Sequence, residues 1–385
     1  MDNNFKMVAK TLFGMEELLA QELRQLGASD IELGTRMVSF KGDKGFMYKA
    51  NLCCRTAIKI LKPITAFNIF NEEDLYKQVY KIKWEDHMDV DGSLAVNATV
   101  FSDYFTHSQY IALKTKDAIV DRFRDKEGRR PDVDLDHPTL RINVHIDRNI
   151  CTISLDSSGE SLHKRGYKVA NTIAPISEVL AAGLIMQSGW NGQCDFLDPM
   201  CGSGTILTEA AMIACRIPAN LNRDEFGFET WPDFDVELYE LIENAALKKI
   251  RDFRYKIYGY DIDNDAISKA KENIKSANLS EFITLEKQDF FESKKKSEGP
   301  MHLVFNPPYD ERISVTDITQ FYGSIGSTLK HGYPNSQAWM ITSNMEALKT
   351  VGLRPSRKIK VFNGKLESRF VRYEMYAGSK KAKKQ

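Results

Sequence analysis

The stretch Asp195-Phe196-Leu197-Asp198-Pro199-Met200-Cys201-Gly202-Ser203-Gly204-Thr205 ends an apolar run in an acid and turns through glycines into the helical sequence Ile206 to Ile213. Glycines let a ligand approach the backbone closely, and a helix amino terminus favours negative groups. A dinucleotide fingerprint needs a third glycine, where this chain has Leu207, and an acid about 20 residues on, which no strand end supplies. The lysine of a phosphate-binding P-loop is also missing. Downstream, Tyr258-Gly259-Tyr260-Asp261-Ile262-Asp263 again ends an apolar run in acids. A carboxylate there can accept both hydroxyls of a ribose, although a helix cap uses the same residues. Next comes Lys287-Gln288-Asp289-Phe290-Phe291, in which an acid beside an aromatic can bond an adenine amino group and pack on its ring. A turn acid beside two core phenylalanines reads the same way.

Val304-Phe305-Asn306-Pro307-Pro308-Tyr309 is the sharpest of the four stretches. Two prolines directly after an apolar strand fix a rigid turn and leave its carbonyls without local amide partners. The Asn306 side-chain oxygen and the Pro307 carbonyl can then accept both hydrogens of an exocyclic amino group. Tyr309 offers a stacking face for a base taken out of its stack. Methylation of a planar amine needs such a site. The nitrogen lone pair is delocalised into the ring, and holding the hydrogens out of plane turns it toward a methyl donor. Positioning and electrostatics supply most of the rate, with no strong general base.

The elements around these turns divide the chain in three. Leu12, Met15, Leu18, Leu19, Glu22 and Leu23 recur at helical spacing from Thr11 to Leu26, and Gly27 stops the helix. Strands follow at Met37 to Phe40 and Ile58 to Ile64, around a helix from Phe46 to Cys53, which predicts a small α+β unit over residues 1–64. A second unit, 65–158, has a helix from Glu72 to Tyr80, a strand from Leu94 to Val100 and a helix from Ser108 to Phe123. Strands Leu140 to Ile146 and Ile150 to Leu155 close it as a hairpin. The third unit, 159–385, alternates strands with helices, the pattern of a doubly wound sheet. Its strands are predicted at Cys194 to Leu197, Lys256 to Tyr260, Ile283 to Lys287, His302 to Phe305, Gln337 to Thr342, Lys358 to Phe362 and Phe370 to Met375. Asn363-Gly364 is a strong hairpin signal between the last two. Pro218 to Asp235, rich in aromatics and acids, reads as an insertion. The lysine-rich tail Lys380 to Lys384 reads as a solvated end.

Composition excludes several classes. Lysine plus arginine number 53 and aspartate plus glutamate 53, so a uniformly basic nucleic-acid coat is ruled out while a local patch is not. There is no apolar run long enough to span a bilayer, and Met1 to Lys10 lacks the charge and apolar order of a secretion signal. A soluble cytoplasmic protein is expected. The six cysteines show no metal-ligand spacing and read as buried thiols, so neither zinc nor disulfides are expected.

Together the four motifs resemble the class I S-adenosylmethionine-dependent methyltransferases that act on exocyclic amino groups. The likeness extends upstream through Leu155-Asp156-Ser157-Ser158-Gly159 and Leu162-His163-Lys164-Arg165-Gly166-Tyr167. It continues into Ala174-Pro175-Ile176-Ser177-Glu178, similar to a helix that closes over the methionine end of the donor. The first two units resemble a ferredoxin-like unit followed by a THUMP RNA-binding domain. The whole chain thus looks like a guanine-N2 methyltransferase of the kind that modifies large-subunit ribosomal RNA. By that resemblance the third unit is a Rossmann-like α/β domain whose mostly parallel sheet ends in an antiparallel hairpin. Asp198, Cys201, Gly202 and Gly204 line the donor's methionine side, Asp261 holds its ribose, Ile262 and Phe290 flank the adenine, and Asp289 bonds its amino group. Asn306, Pro307, Pro308 and Tyr309 hold the target base. Many relatives carry glycine after the N-P-P-Y motif, where this chain has Asp310, and base identity is accordingly less defined than reaction type.

The resemblance also makes the helix carrying Lys114, Lys116, Arg122 and Arg124 the RNA-facing element. Asp117, Asp121 and Asp125 interleave with those cations, as on an ordinary solvated helix. RNA is the implied partner, and a monomer or weak dimer is expected. Two other targets share the same motifs: guanine N2 of transfer RNA and adenine N6 of DNA. A non-catalytic RNA-binding factor that keeps a relic cofactor fold is a third reading, against which the four intact motifs stand.

Overall fold

The computed structural model describes residues 4–171, 176–308 and 315–376. Ala174, Pro175, Tyr309, Asp310 and the lysine-rich tail lie outside the described residues. The chain divides into two compact units, one of Met1–Thr11, Ala20–Leu162 and Asp224–Asn244, the other of Leu12–Leu19, His163–Arg223 and Ala245–Gln385.

In the first unit and its flanks the elements are β1 (Phe5–Thr11), α1 (Glu16–Leu26), β2 (Ser29–Gly34), β3 (Met37–Gly42), α2 (Lys44–Cys53) and β4 (Ala57–Asn68). They continue as α3 (Glu72–Lys81), β5 (Ser93–Phe101), α4 (Ser108–Glu127), β6 (Asp132–Val133), β7 (Leu140–Asp147) and β8 (Ile150–Asp156). Their strands form one sheet in the order β2-β3-β1-β4-β8-β7-β5-β6. β4 runs past its predicted end at Ile64 to Asn68, pairing with β1 on one side and β8 on the other. Its ladder slips between Pro63 and Thr65, where proline has no N–H to give.

Glu22, an acid inside the apolar stripe of α1, is buried for a reason. Its carboxylate accepts the N–H of Arg55 at 2.7 Å and of Thr56 at 3.0 Å, as well as the Thr56 hydroxyl. The aromatic insertion joins this unit as well. Phe228 stacks on Tyr48 of α2 at 4.4 Å, and Phe226, Phe234 and Tyr239 close around the pair.

The second unit and its flanks contain α5 (Glu178–Ser188), β9 (Asp195–Asp198), α6 (Thr205–Ala214), β10 (Ile257–Asp261), α8 (Asn264–Ser276) and β11 (Ile283–Lys287), while α7 (Val236–Leu247) lies mostly in the first. β12 (Met301–Phe305), α9 (Val315–Gly332), β13 (Ser336–Thr342), α10 (Met345–Thr350), β14 (Arg357–Asn363) and β15 (Leu366–Met375) follow. The sheet order is β11-β10-β9-β12-β13-β15-β14. β11, β10, β9, β12 and β13 run parallel; β15 runs antiparallel to both β13 and β14. All seven strands predicted for this unit are present, and Gly364 makes the hairpin turn at φ +61.

Every residue of β12 is buried, as a central parallel strand covered on both faces requires. Alternate residues feed opposite cores. Phe196 and Val304 join one apolar cluster, while Leu197, Leu303 and Phe305 join the other. Cys54, Cys151, Cys194, Cys201 and Cys215 are buried thiols and Cys53 is half-buried. Among the described residues no helix is long and apolar enough to cross a membrane, and no group of three His, Cys, Asp or Glu is arranged to hold a metal.

Candidate active site

The four motif turns gather at the carboxyl edge of the second sheet, beside the point where strand order reverses between β9 and β12. Open α/β sheets bind ligands in that crevice. Register sets the spacing of the acids. Asp198 of β9 lies opposite Gly259 of β10, and Asp261, two residues further along β10, lies opposite Lys287 of β11.

The glycine turn hangs on β10. Gly202 (φ +52) donates its N–H to Asp261 Oδ2 at 2.9 Å, and Cys201 donates to the Tyr260 carbonyl at 2.9 Å. Asp261 Oδ1 accepts the Asp263 N–H at 3.0 Å, so both carboxylate oxygens are held in place. Asp263 in turn caps α8 by accepting from Asp265 N–H at 2.9 Å. Gly204, at φ +78, begins α6, and a Cβ there would lie 3.1 Å from the Ala270 side chain of α8.

The failed dinucleotide match now has a physical reason. In that fingerprint the third glycine thins the helix so that it can approach the strand. Here the strand is thinned instead: a Cβ on Gly259 would come within 2.3 Å of the Leu207 side chain. The close contact is kept with its two partners exchanged.

Asp198 is 1% exposed and accepts the Met200 N–H at 3.2 Å. Burial pushes its carboxyl well above the usual carboxylate range; the Met200 N–H opposes that rise and the Asp261 charge adds to it. Burial likewise raises the Cys201 thiol well above its ordinary value. Asp289 is half-buried and accepts the Phe291 N–H at 2.8 Å. Ile262 is 67% exposed, whereas Phe290 is buried against Phe305 and Tyr333 at ring distances of 6.0 and 5.7 Å. Beyond β12, Asn306 is half-buried, Pro307 buried and Pro308 exposed.

Arg165 and Tyr167 of the upstream motif are structural. Arg165 reaches Glu209 of α6 at 3.4 Å and Asn220 at 3.0 Å, and the Tyr167 hydroxyl donates to Glu209 at 3.1 Å. All four side chains are buried. Sequence reading missed Glu209, Asn220 and Asn273; the first two are polar residues in buried segments and Asn273 interrupts the apolar stripe of α8, which is the one signal each carries.

On α4 the four expected RNA contacts part company. Lys114 lies 3.8 Å from Glu73 and over the Tyr76 ring, Lys116 pairs with Asp117, and Arg124 pairs with Asp121 at 2.9 Å. Arg122 differs from the other three. Its guanidinium turns inward, forks onto both oxygens of Glu85 and donates to the Tyr80 carbonyl at 3.1 Å. All three of its guanidinium nitrogens thus have partners within the protein. The pairing pulls the Glu85 carboxyl down to about 2. The stabilisation it gives is therefore complete above the ordinary glutamate range and lost as pH falls toward 2. Arg122→Met is expected to destabilise the protein by about 2 kcal/mol at neutral pH. Thermal melts from pH 7 to 2 should show that deficit shrinking with acid, and RNA affinity should stay unchanged at neutral pH.

A doubly wound sheet with acids and a glycine turn at its switch point is the architecture in which open α/β domains bind nucleotide cofactors. Residues 165–372 match the model of the RMKL-like methyltransferase domain, residues 70–156 that of the THUMP domain and residues 6–61 that of the RlmL ferredoxin-like domain. The chain belongs to the RMKL-like methyltransferase family. It is 37% identical over 97% of its length to a ribosomal RNA large subunit methyltransferase K/L of Syntrophotalea carbinolica, of which it spans 54%. A Synechocystis protein that carries the provisional name of an RNA methyltransferase is 36% identical over 94% of this chain and 95% of its own length. Among solved structures, a provisionally classed methyltransferase complexed with SAH superposes with a TM-score of 0.87 at 28% identity, over 98% of this chain and 100% of that one.

Proposed function

We propose that this chain transfers the methyl group of S-adenosylmethionine to an exocyclic amino group of a base in RNA, with guanine N2 of large-subunit ribosomal RNA as the target. One observation carries the reading: Asn306 and Pro307 leave a fully buried central strand beside the strand ends that hold the glycine turn and the fixed Asp261 carboxylate. The residues fit the donor. A carboxylate at the second strand end suits ribose hydroxyls. A buried acid such as Asp198, whose charge burial disfavours, suits the cationic methionine end. When bound, the donor supplies an electrophilic methyl on a sulfonium. Asp289 takes the adenine amino group, Cys201, Gly202 and Gly204 border the methionine side, and Ile262 and Phe290 border the ring. Asn306, Pro307, Pro308 and Tyr309 hold the target base with its amine turned to the methyl.

The THUMP match supports RNA as partner. With Arg122 committed inward, Lys114, Lys116 and Arg124 remain as the phosphate contacts of α4. Residues 1–64, 65–158 and 159–385 then act as ferredoxin-like, RNA-binding and methyltransferase units. The name of the K/L relative favours a ribosomal target, and a cytoplasmic location accords with such a target.

The test offers methyl-labelled donor with separate pools of undermodified ribosomal RNA, transfer RNA and DNA, each digested for nucleoside mass spectrometry. Labelled N2-methylguanosine in the ribosomal pool is the expected result. Label in transfer RNA, or in N6-methyladenine of DNA, keeps the chemistry and replaces the target. Absence of label together with absence of donor binding in calorimetry overturns the reading in favour of a non-catalytic factor.

A further inference from the structure

Asn273 stands on the buried side of α8, where Ala266, Ile267, Ala270 and Ile274 otherwise form an apolar stripe. It is 1% exposed. Its carboxamide makes four hydrogen bonds, each 2.9 Å long. Oδ1 accepts the N–H groups of Val169 and Ala170, and Nδ2 donates to the carbonyls of Ala170 and Ser203. A carboxamide owns two donors and two acceptor sites, so its full capacity is engaged.

Three of those bonds hold the backbone strap Val169-Ala170, much as a neighbouring strand would. The fourth holds the one carbonyl that lies between the two positive-φ glycines of the cofactor turn. α8 thus grips that turn twice, by packing Ala270 against Gly204 and by bonding Ser203 one helical turn further on. A turn built on two glycines has unusual backbone freedom. Without a clamp, part of the donor's binding energy goes into ordering it.

We propose that Asn273 is a positioning residue for the methyl donor: it locks the Val169-Ala170 strap to the Gly202-Ser203-Gly204 turn and so sets the shape of the donor pocket before the donor arrives. This rests on the donor reading given above. The chemistry needs no contact between Asn273 and the donor. Its effect passes through the Ser203 carbonyl and the strap backbone.

The experiment compares the parent with Asn273→Ala and Ala170→Pro, the second of which deletes one strap N–H and leaves the Ser203 bond. Glu272→Ala, an exposed neighbour on the same helix, is the control. Calorimetry with S-adenosylhomocysteine is read beside donor KM, RNA KM and kcat, with circular dichroism and melts to establish folding. Both variants should weaken S-adenosylhomocysteine and raise donor KM by about ten-fold or more, with RNA KM within about two-fold of the parent, as loss of a preorganising shell predicts. The control should match the parent. A variant that melts earlier yet binds S-adenosylhomocysteine like the parent reduces Asn273 to a fold support and overturns the proposal. If Asn273→Ala does not fold, Ala170→Pro decides alone, and parental affinity in it overturns the proposal. A folded parent that binds no S-adenosylhomocysteine overturns the donor reading itself, and this inference falls with it.

Discussion

Asn306→Ala is expected to lower turnover by about 100-fold or more while donor affinity stays within about two-fold of the parent, since orienting hydrogen bonds in a preorganised site contribute a few kcal/mol to the transition state. The separation follows from the strands involved. Asn306 leaves β12, all five of whose residues are buried, whereas the glycine turn and Asp261 belong to β9 and β10. Pro307 is buried and both prolines have fixed φ, so the amide is carried on a stiff support and its loss has little reason to spread. The substitution removes an acceptor for an amine hydrogen, and an amine free to stay in the plane of its ring is a poor nucleophile. Single-turnover methyl transfer at saturating donor measures the first half of the expectation, calorimetry the second. Equal losses in both would make Asn306 a support of the pocket and not a partner of the base.

The second sheet was legible in the sequence because parallel strands covered on both faces read as short apolar runs ended by acids, glycines or prolines. β12 and β9 are the clearest instances. The first sheet was less so. β2 is an edge strand with a largely exposed face, and its alternation is confined to Ile31 and Leu33 between Asp30 and Glu32, too short a signal to mark a strand. β1 does alternate, with Met7, Ala9 and Thr11 buried, but Leu12 and Met15 extend the helical stripe of α1 backward across its end. The true break comes at Gly14, whose φ of +81 stops any helix from reaching back to Thr11.

Within the site, the strand-end motifs were legible because their chemistry is local: an acid, a glycine turn or a pair of prolines acts where it stands. What holds them was not. Glu22, Asn273 and Arg122 take partners far along the chain, from Thr56, Ala170 and Glu85. Counting charges along α4 gives no reason to choose Arg122 over Arg124 as the one that folds inward. That choice depends on Glu85, on a short turn after α3. Glu22 and Asn273 share a weaker mark, since each interrupts an apolar stripe at helical spacing. Burying an unpartnered polar group there costs about 1–3 kcal/mol, so such an interruption implies a partner even when sequence does not name it.

Asp261→Ala is expected to show the converse of the Asn306 pattern, with donor affinity falling by about 30-fold or more, the equivalent of losing about 2 kcal/mol of charge-assisted hydrogen bonding. An ionised carboxylate offers about four acceptor sites on its two oxygens. The N–H groups of Gly202 and Asp263 occupy one site on each oxygen, which leaves each oxygen one for a ribose hydroxyl. The substitution therefore acts twice: the hydroxyls lose their acceptors, and Gly202 loses the bond that ties the glycine turn to β10. Asp261→Asn keeps the shape and one oxygen but turns an NH2 toward one of the two N–H donors, so an intermediate loss is expected. At saturating donor, turnover of both variants should recover most of the parental rate, because the turn after β12, proposed to hold the base, is untouched. Calorimetry with S-adenosylhomocysteine, read beside kcat at rising donor concentration, distinguishes the cases. Parental donor affinity combined with slow turnover would remove Asp261 from the donor site and leave it as the brace of the glycine turn alone.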